Sequence, residues 1–146
     1  MQIREFETTD LDDCAALFAS VFNGEPWNES WRFEDARMRI GDIAAAPKFI
    51  GLVMSNRELL GFVVGNVIRI ESDNIFELKE MCVRTEKQRL GLGTQLLNEL
   101  KRRLPEFGVD SIFLQTSHEK PAFQFYLKNG FCRESSFSAL VLSPLG

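Results

Sequence analysis

The sequence has one histidine, one tyrosine, only three cysteines, and no apolar run long enough to span a bilayer. Cys14, Cys82 and Cys132 have neither paired nor metal-ligand spacing, which argues against a disulfide framework or a cysteine-based metal centre and reads as free thiols in a reducing compartment. Each is most simply a small buried hydrophobe. A basic excess is missing too: 17 Lys and Arg against 21 Asp and Glu give a net charge of −4, which disfavours nucleic acid as the main partner and suits a cationic one. The N-terminal residues are acidic and lack an apolar core, so no secretory signal is expected, and the protein is expected in the cytoplasm with no membrane partner. Repeats, linkers and low-complexity segments are absent, and residues 1–146 are expected to form a single domain around one core.

What is present begins with phenylalanine, 13 of them against one tyrosine, which points to an aromatic-rich core. Gln2 to Phe6 is a short strand candidate. Thr9-Asp10-Leu11-Asp12 has the form of a capping box, and Leu11, Cys14, Ala15, Phe18, Val21 and Phe22 then repeat at helical spacing until Asn23-Gly24. Gly24 to Trp31 is a turn-forming segment carrying Trp27 and Trp31 together with Glu25 and Glu29. The tryptophans either clamp the next helix to the core or line a substrate pocket, and both can hold. Asn28 or Ser30 is placed to cap the second helix, which runs to about Ala45 before Pro47.

Lys48 to Met54 and Glu58 to Ile70 are β-rich runs joined by Ser55-Asn56-Arg57, with Gly61 and Gly65 marking a bulge or close packing. Ser72-Asp73-Asn74 leads into a central strand, Ile75 to Val83. A two-glycine turn follows, then a helix with Leu92, Leu96, Leu97, Leu100 and Leu104 on one face, stopped by Pro105. Asp110 to Thr116 reads as a buried strand, parallel to its neighbour because a helical crossover precedes it. A last helix, about Lys120 to Lys128, closes at Asn129-Gly130, and Phe131 onward reads as strand again. The order is β-α-α-β-β-β-α-β-α-β-β: an α/β (α+β) chain with a mixed central sheet of about six to seven strands flanked by about four helices.

In the turn Gln88-Arg89-Leu90-Gly91-Leu92-Gly93-Thr94, residues without a Cβ let the backbone approach a ligand where the free N–H groups of a new helix point outward. The first turn after Gly91 carries no Asp or Glu, and Arg84, Lys87 and Arg89 lie just upstream, so an anion is favoured there. No Lys-Ser or Lys-Thr follows the second glycine, so this is not a P-loop, and it is not the three-glycine dinucleotide fingerprint. A plain tight turn uses the same glycines.

Two motifs in this order resemble the GNAT superfamily of N-acetyltransferases, which use acetyl-coenzyme A. Gln88-Arg89-Leu90-Gly91-Leu92-Gly93 matches the family's Gln/Arg-x-x-Gly-x-Gly/Ala pyrophosphate loop. Ala122 to Phe131 is similar to its Ala-x-x-x-Tyr-x-x-x-Gly-Phe signature, with Glu119 where the family often has Asn. The Glu-Pro-Trp-Asn segment and the later Glu-x-x-Glu-Met-Cys-Val resemble, more loosely, a branch with aminoglycoside 6′-N-acetyltransferase-like proteins. The resemblance implies an acyl-CoA N-acyltransferase fold over nearly the whole chain. It also implies a pantetheine site between Met81-Cys82-Val83 and Gln115-Thr116, and an acceptor pocket built from the second helix and the loop before it, with Glu25, Trp27 and Trp31 as candidates.

Amide formation needs a neutral amine, and an ordinary alkylamine is neutral only about once in ~10³ at pH 7. Glu77 and Glu80 on the central strand are the candidate bases, direct or through a water; alternation along the strand puts them on opposite faces unless a bulge intervenes. A backbone N–H near Met81 to Val83 can stabilise developing oxyanion charge, and the same edge can pair with pantetheine amides. Tyr126, in the signature's tyrosine position, is the candidate acid for the leaving thiolate. Cofactor contacts are therefore expected from Met81, Cys82, Val83, Gln88, Arg89, Leu90, Gly91, Leu92, Gly93, Thr94, Thr116 and Tyr126. His118 reads as exposed or as a substrate-edge residue. No metal is expected, the acceptor is a small-molecule or peptide amine, and a homodimer is left open. The competing readings are a non-catalytic acyl-CoA sensor of the same fold and a nucleotide-phosphate binder.

Overall fold

Apolar residues on both faces of three consecutive strands build the sheet, and helices cover each face. The computed structural model describes Met1–Gly146, which fall into two compact units, Met1–Gln115 and Thr116–Gly146. In the first, a mixed five-stranded sheet runs in the order β1 (Gln2–Glu5), β2 (Phe49–Ser55), β3 (Leu59–Ile70), β4 (Asp73–Val83), β5 (Val109–Phe113). The first four pair antiparallel, and β5 joins β4 in parallel after a helical crossover. The helices of this unit are α1 (Leu11–Asn23), α2 (Phe33–Ala45) and α3 (Leu92–Arg103). No helix of the chain is long and apolar enough to cross a membrane.

Cross-strand partners point to the same side, so the register sorts the two faces. Val53, Phe62, Val64 and Cys82 join Cys14, Phe18 and Val21 of α1 and Ala36, Ile40 and Ile43 of α2 in one buried cluster. Leu52, Met54 and Val63 point the other way, toward α3, whose Leu96, Leu97 and Leu100 are fully buried. Burying each large side chain of this kind contributes about 1.5–3 kcal/mol. The leucine stripe read from the sequence is this buried face of α3.

The caps differ from expectation. Asp10 bonds Arg4 through both carboxylate oxygens at 2.8 Å and accepts from the Glu7 N–H at 2.7 Å, so the capping box closes between Glu7 and Asp10, two residues ahead of Thr9-Asp10-Leu11-Asp12. The second helix starts at Phe33 with Arg32 as its uncapped N-terminal neighbour, and neither Asn28 nor Ser30 caps it. Asn28 instead takes a left-handed backbone (φ 52°) inside the preceding turn.

β3 and β4 slip register once: Val64 faces Glu80 while Gly65 faces Leu78, which leaves Lys79 as an extra residue in β4. Gly65 makes this possible, since a Cβ there would sit 2.1 Å from the Glu77 carbonyl oxygen and 2.6 Å from the Phe76 ring. Gly61 is similarly close to the Cys82 carbonyl, at 2.7 Å.

In the second unit, α4 (Pro121–Lys128) begins with Pro121, whose missing N–H costs nothing at that position. It ends as Phe131 N–H bonds the Tyr126 carbonyl at 3.1 Å and Gly130 turns left-handed at φ 94°. The expected strands after Phe131 are not present: residues 131–146 enter no ladder, and the total is five strands rather than six or seven. Apolar residues there, among them Leu140 and Val141, are exposed, and a strand without a partner strand has nothing to hold its backbone extended. We expect Gly65→Ala to lower stability in urea unfolding by about 2–3 kcal/mol, because backbone rather than a flexible side chain must yield; a loss under about 0.5 kcal/mol overturns that account.

Candidate active site

The glycine turn forms because β4 ends against β3. Arg84 donates its N–H to the Leu60 carbonyl at 2.7 Å and its guanidinium to the Leu59 carbonyl at 2.7 and 2.9 Å, so this cation anchors the strand end. Gln88 folds back as well, its side-chain amide donating to the Val83 carbonyl at 2.9 Å. Arg89 (φ 66°) and Gly91 (φ 80°) are then both left-handed and reverse the chain into α3. The glycine requirement at 91 is torsional, for a Cβ there would meet nothing within 4 Å. Arg89 pays a steric cost of about 1–2 kcal/mol for the same conformation, a strain that marks functional loops.

At the start of α3, Gln95 N–H is the first to bond within the helix, to the Gly91 carbonyl at 3.0 Å. The N–H groups of Leu92, Gly93 and Thr94 therefore point out of the helix end without an intrahelical acceptor. No side chain caps them and no acid lies in the first turn, while Lys101, Arg102 and Arg103 occupy the last. The positive end of the helix dipole is left bare, and a diphosphate fits that donor set in charge and chemistry.

Beside it, β4 loses its neighbour. The β4–β5 ladder ends at Glu77 and Phe113, so from Leu78 to Val83 the backbone groups facing away from β3 have no strand partner. Met81 and Val83 turn their backbone groups to this edge, while Cys82, opposite Phe62 and two residues before the Arg84–Leu60 bond, turns its own toward β3.

The extra residue Lys79 decides where the acids go. Glu77 opposes Asn66 and Glu80 opposes Val64, so both carboxylates share the face covered by α1 and α2 rather than lying on opposite faces. Glu77 lies 4.0 Å from Lys79 Nζ. Glu80 is more enclosed: its side chain is 19% exposed and Oε2 accepts from Arg39 Nε of α2 at 3.0 Å. Burial raises its pKa above the ordinary carboxylate value, with Arg39 opposing that rise. Asn66, itself buried, donates to the Ile43, Ala46 and Pro47 carbonyls at 3.1–3.3 Å and so fixes the C-terminal end of α2 against β3.

The loop before α2 is held to α1 by its tryptophans. Trp31 exchanges backbone–side-chain hydrogen bonds with Asn23 at 2.7 and 2.9 Å, its ring packs edge-on to Phe18, and Trp27 does the same to Phe22. Trp31 Nε1 also donates to Glu29 at 2.7 Å. The clamp reading of the tryptophans is thus met, and Glu25 lies exposed on the same loop.

A model of the acetyltransferase (GNAT) family matches residues 11–131. The chain belongs to that family. No curated protein matches it at a significant level. Among solved structures it is similar to an aminoglycoside acetyltransferase from an uncultured soil metagenomic sample, in complex with sisomicin: TM-score 0.69, 18% identity, 97% of this chain and 91% of that one. A second aminoglycoside acetyltransferase of soil metagenomic origin gives TM-score 0.71 at 21% identity over 97% and 98% of the two chains. An integron cassette protein from the mobile metagenome of V. cholerae gives TM-score 0.79 at 13% identity over 97% and 91%. At these identities the likeness is one of fold.

Within this acetyltransferase, Tyr126 belongs to the second unit, buried on α4 with its ring against Phe125 and Phe131, centroids 5.2 Å apart in each case. Thr116 and His118 are exposed in the segment before α4. Cys82, between Met81 and Val83, is buried by side chain, and burial pushes its thiol, like that of Cys14, well above the ordinary value. A thiol kept protonated is a poor nucleophile. Arg39, Asn66 and Lys79 were not singled out by sequence; of these only Asn66, a lone polar residue in the run Phe62 to Ile68, carried a visible signal.

Thr94→Asp places a carboxylate in the first turn of α3, where it favours the helix but opposes a phosphate. Calorimetric titration with coenzyme A is expected to show affinity at least about tenfold weaker with the melting temperature held or raised; wild-type affinity would put the phosphates elsewhere.

Proposed function

We propose that this GNAT acetyltransferase moves an acetyl group from acetyl-CoA to a primary amine of a small cationic molecule by direct attack in a ternary complex. The reading is carried by one observation, an enclosed carboxylate, Glu80, on the strand whose neighbouring edge and following turn are left unpaired. Bound acetyl-CoA supplies an activated acyl carbon and a thiolate leaving group.

The chain's own residues supply the rest. The N–H groups of Leu92, Gly93 and Thr94, with Arg89 and Lys87 near them, hold phosphate oxygens. The open edge offers the Met81 N–H and C=O and the Val83 N–H to amides and a donor to developing oxyanion charge, the Val83 carbonyl being held by Gln88. Glu80 accepts the proton of the acceptor ammonium through its unbonded Oε1, and Glu77 on the same face adds negative charge that favours a cation. Tyr126 is assigned the proton for the thiolate on the strength of its motif position. Glu25, Glu29, Trp27 and Trp31 of the loop before α2 are assigned to acceptor binding, an acidic surround that suits a polyamine or an aminosugar. The aminoglycoside acetyltransferases of the same fold are consistent with that class.

Glu80→Gln is expected to lower kcat/KM by about 10²-fold or more in a thiol-release assay over spermidine, sisomicin and a lysine-containing peptide, with coenzyme A affinity unchanged. In the wild type the acid limb of the pH profile should lie above the ordinary glutamate range, because the base works ionised and its pKa is raised by burial. Tyr126→Phe should slow turnover on every amine. A pre-steady-state burst that leaves acetyl on Cys82 sinks the direct route.

A further inference from the structure

Resting on the reading of Glu80 as base, we propose that Arg39 is a positioning residue for acetyl transfer: from α2 it fixes one oxygen of the Glu80 carboxylate and leaves the other free to take the acceptor's proton. The two residues are 41 positions apart, so the contact ties a helix to a strand.

The contact engages one carboxylate oxygen, where a bidentate fork would occupy both. Here Nε alone donates, to Oε2 at 3.0 Å, and Oε1 has no hydrogen-bond partner. Glu80 keeps 19% side-chain exposure and Arg39 keeps 40%, so the pair stands at the rim of the α2-covered face.

The other charges around Glu80 do not do this work. On β4, Lys79 lies toward Glu77, at 4.0 Å. Glu29, in the loop before α2, opposes ionisation of Glu80 and is itself held by Trp31. Across the ladder on β3 stands Val64, and α1 brings to this face the buried thiol of Cys14, which shares one buried cluster with that of Cys82 on β4. Arg39 is thus the cation whose charge and hydrogen bond oppose the upward push of burial on this carboxyl. Aiming follows from the same bond, since a carboxylate pinned at one oxygen by a side chain from the acceptor-side helix loses its freedom to rotate away.

The test compares Arg39→Met, Arg39→Lys and Glu80→Gln in the full chain. Two readouts are taken: the pH dependence of kcat/KM by thiol release on the best of the three amines above, and a ¹³C NMR titration of the Glu80 carboxyl, assigned by its loss in Glu80→Gln. In Arg39→Met the acid limb and the carboxyl midpoint should both move up by about one pH unit, which is about a tenfold loss of rate below the limb; Arg39→Lys should recover part of the shift. A uniform loss of rate with limb and midpoint unmoved makes Arg39 a strut between α2 and β4 and overturns the proposal. Full activity in Glu80→Gln defeats the base assignment itself, an outcome the Arg39 variants cannot produce.

Discussion

β4 parts from β5 after Glu77, and the candidate site depends on that parting. A parallel neighbour running further would bond the backbone of Leu78 to Val83 and leave nothing for a ligand to pair with. The bulge at Lys79 comes two residues later, and a bulged strand bends and twists more strongly than a regular one. The parting leaves the edge open, and the bulge just after it sets the side on which the acids lie. Gly65 is the residue that permits it, by letting β3 close against the Glu77 carbonyl.

Two unspent polar features meet on this scaffold. The N-terminus of α3 keeps its N–H groups and its dipole uncompensated, although three cations compensate the opposite end. Glu80 keeps a carboxyl group in an enclosed place, although Phe or Leu would pack there at less cost. Each is a local departure from the most stable choice inside a well-packed sheet, with buried leucines behind α3 and an aromatic cluster behind α1 and α2. Rigid surroundings of that kind hold such groups in place before a ligand arrives.

Much of this was legible because it is periodic or punctuated. Helical spacing found α1 and α3, the glycines found the turn, and the tyrosine motif found α4. What was missed is not encoded in period. Phe76, Leu78 and Cys82 are all even-numbered and all buried, so an uninterrupted strand explains them as well as a bulged one does; only pairing with β3 shows that Cys82 and Glu80 have changed sides. Arg39 lies in a helix that also carries Glu34, Asp35, Arg37 and Asp42, and what sets it apart is a partner 41 positions away. The last segment fails for the opposite reason: Phe131 and the residues after it have strand composition, but composition does not supply a neighbouring strand.

The bulge also changes what residue identity means in β4. Counted without Lys79, Glu80 would share the side of Phe76 and Leu78 and press its carboxylate toward the leucines of α3; counted with it, the same residue meets Arg39. One inserted position therefore decides which helix this carboxylate meets. A relative that carries glutamate at the aligned position but lacks the insertion would have the letter of this site without its chemistry.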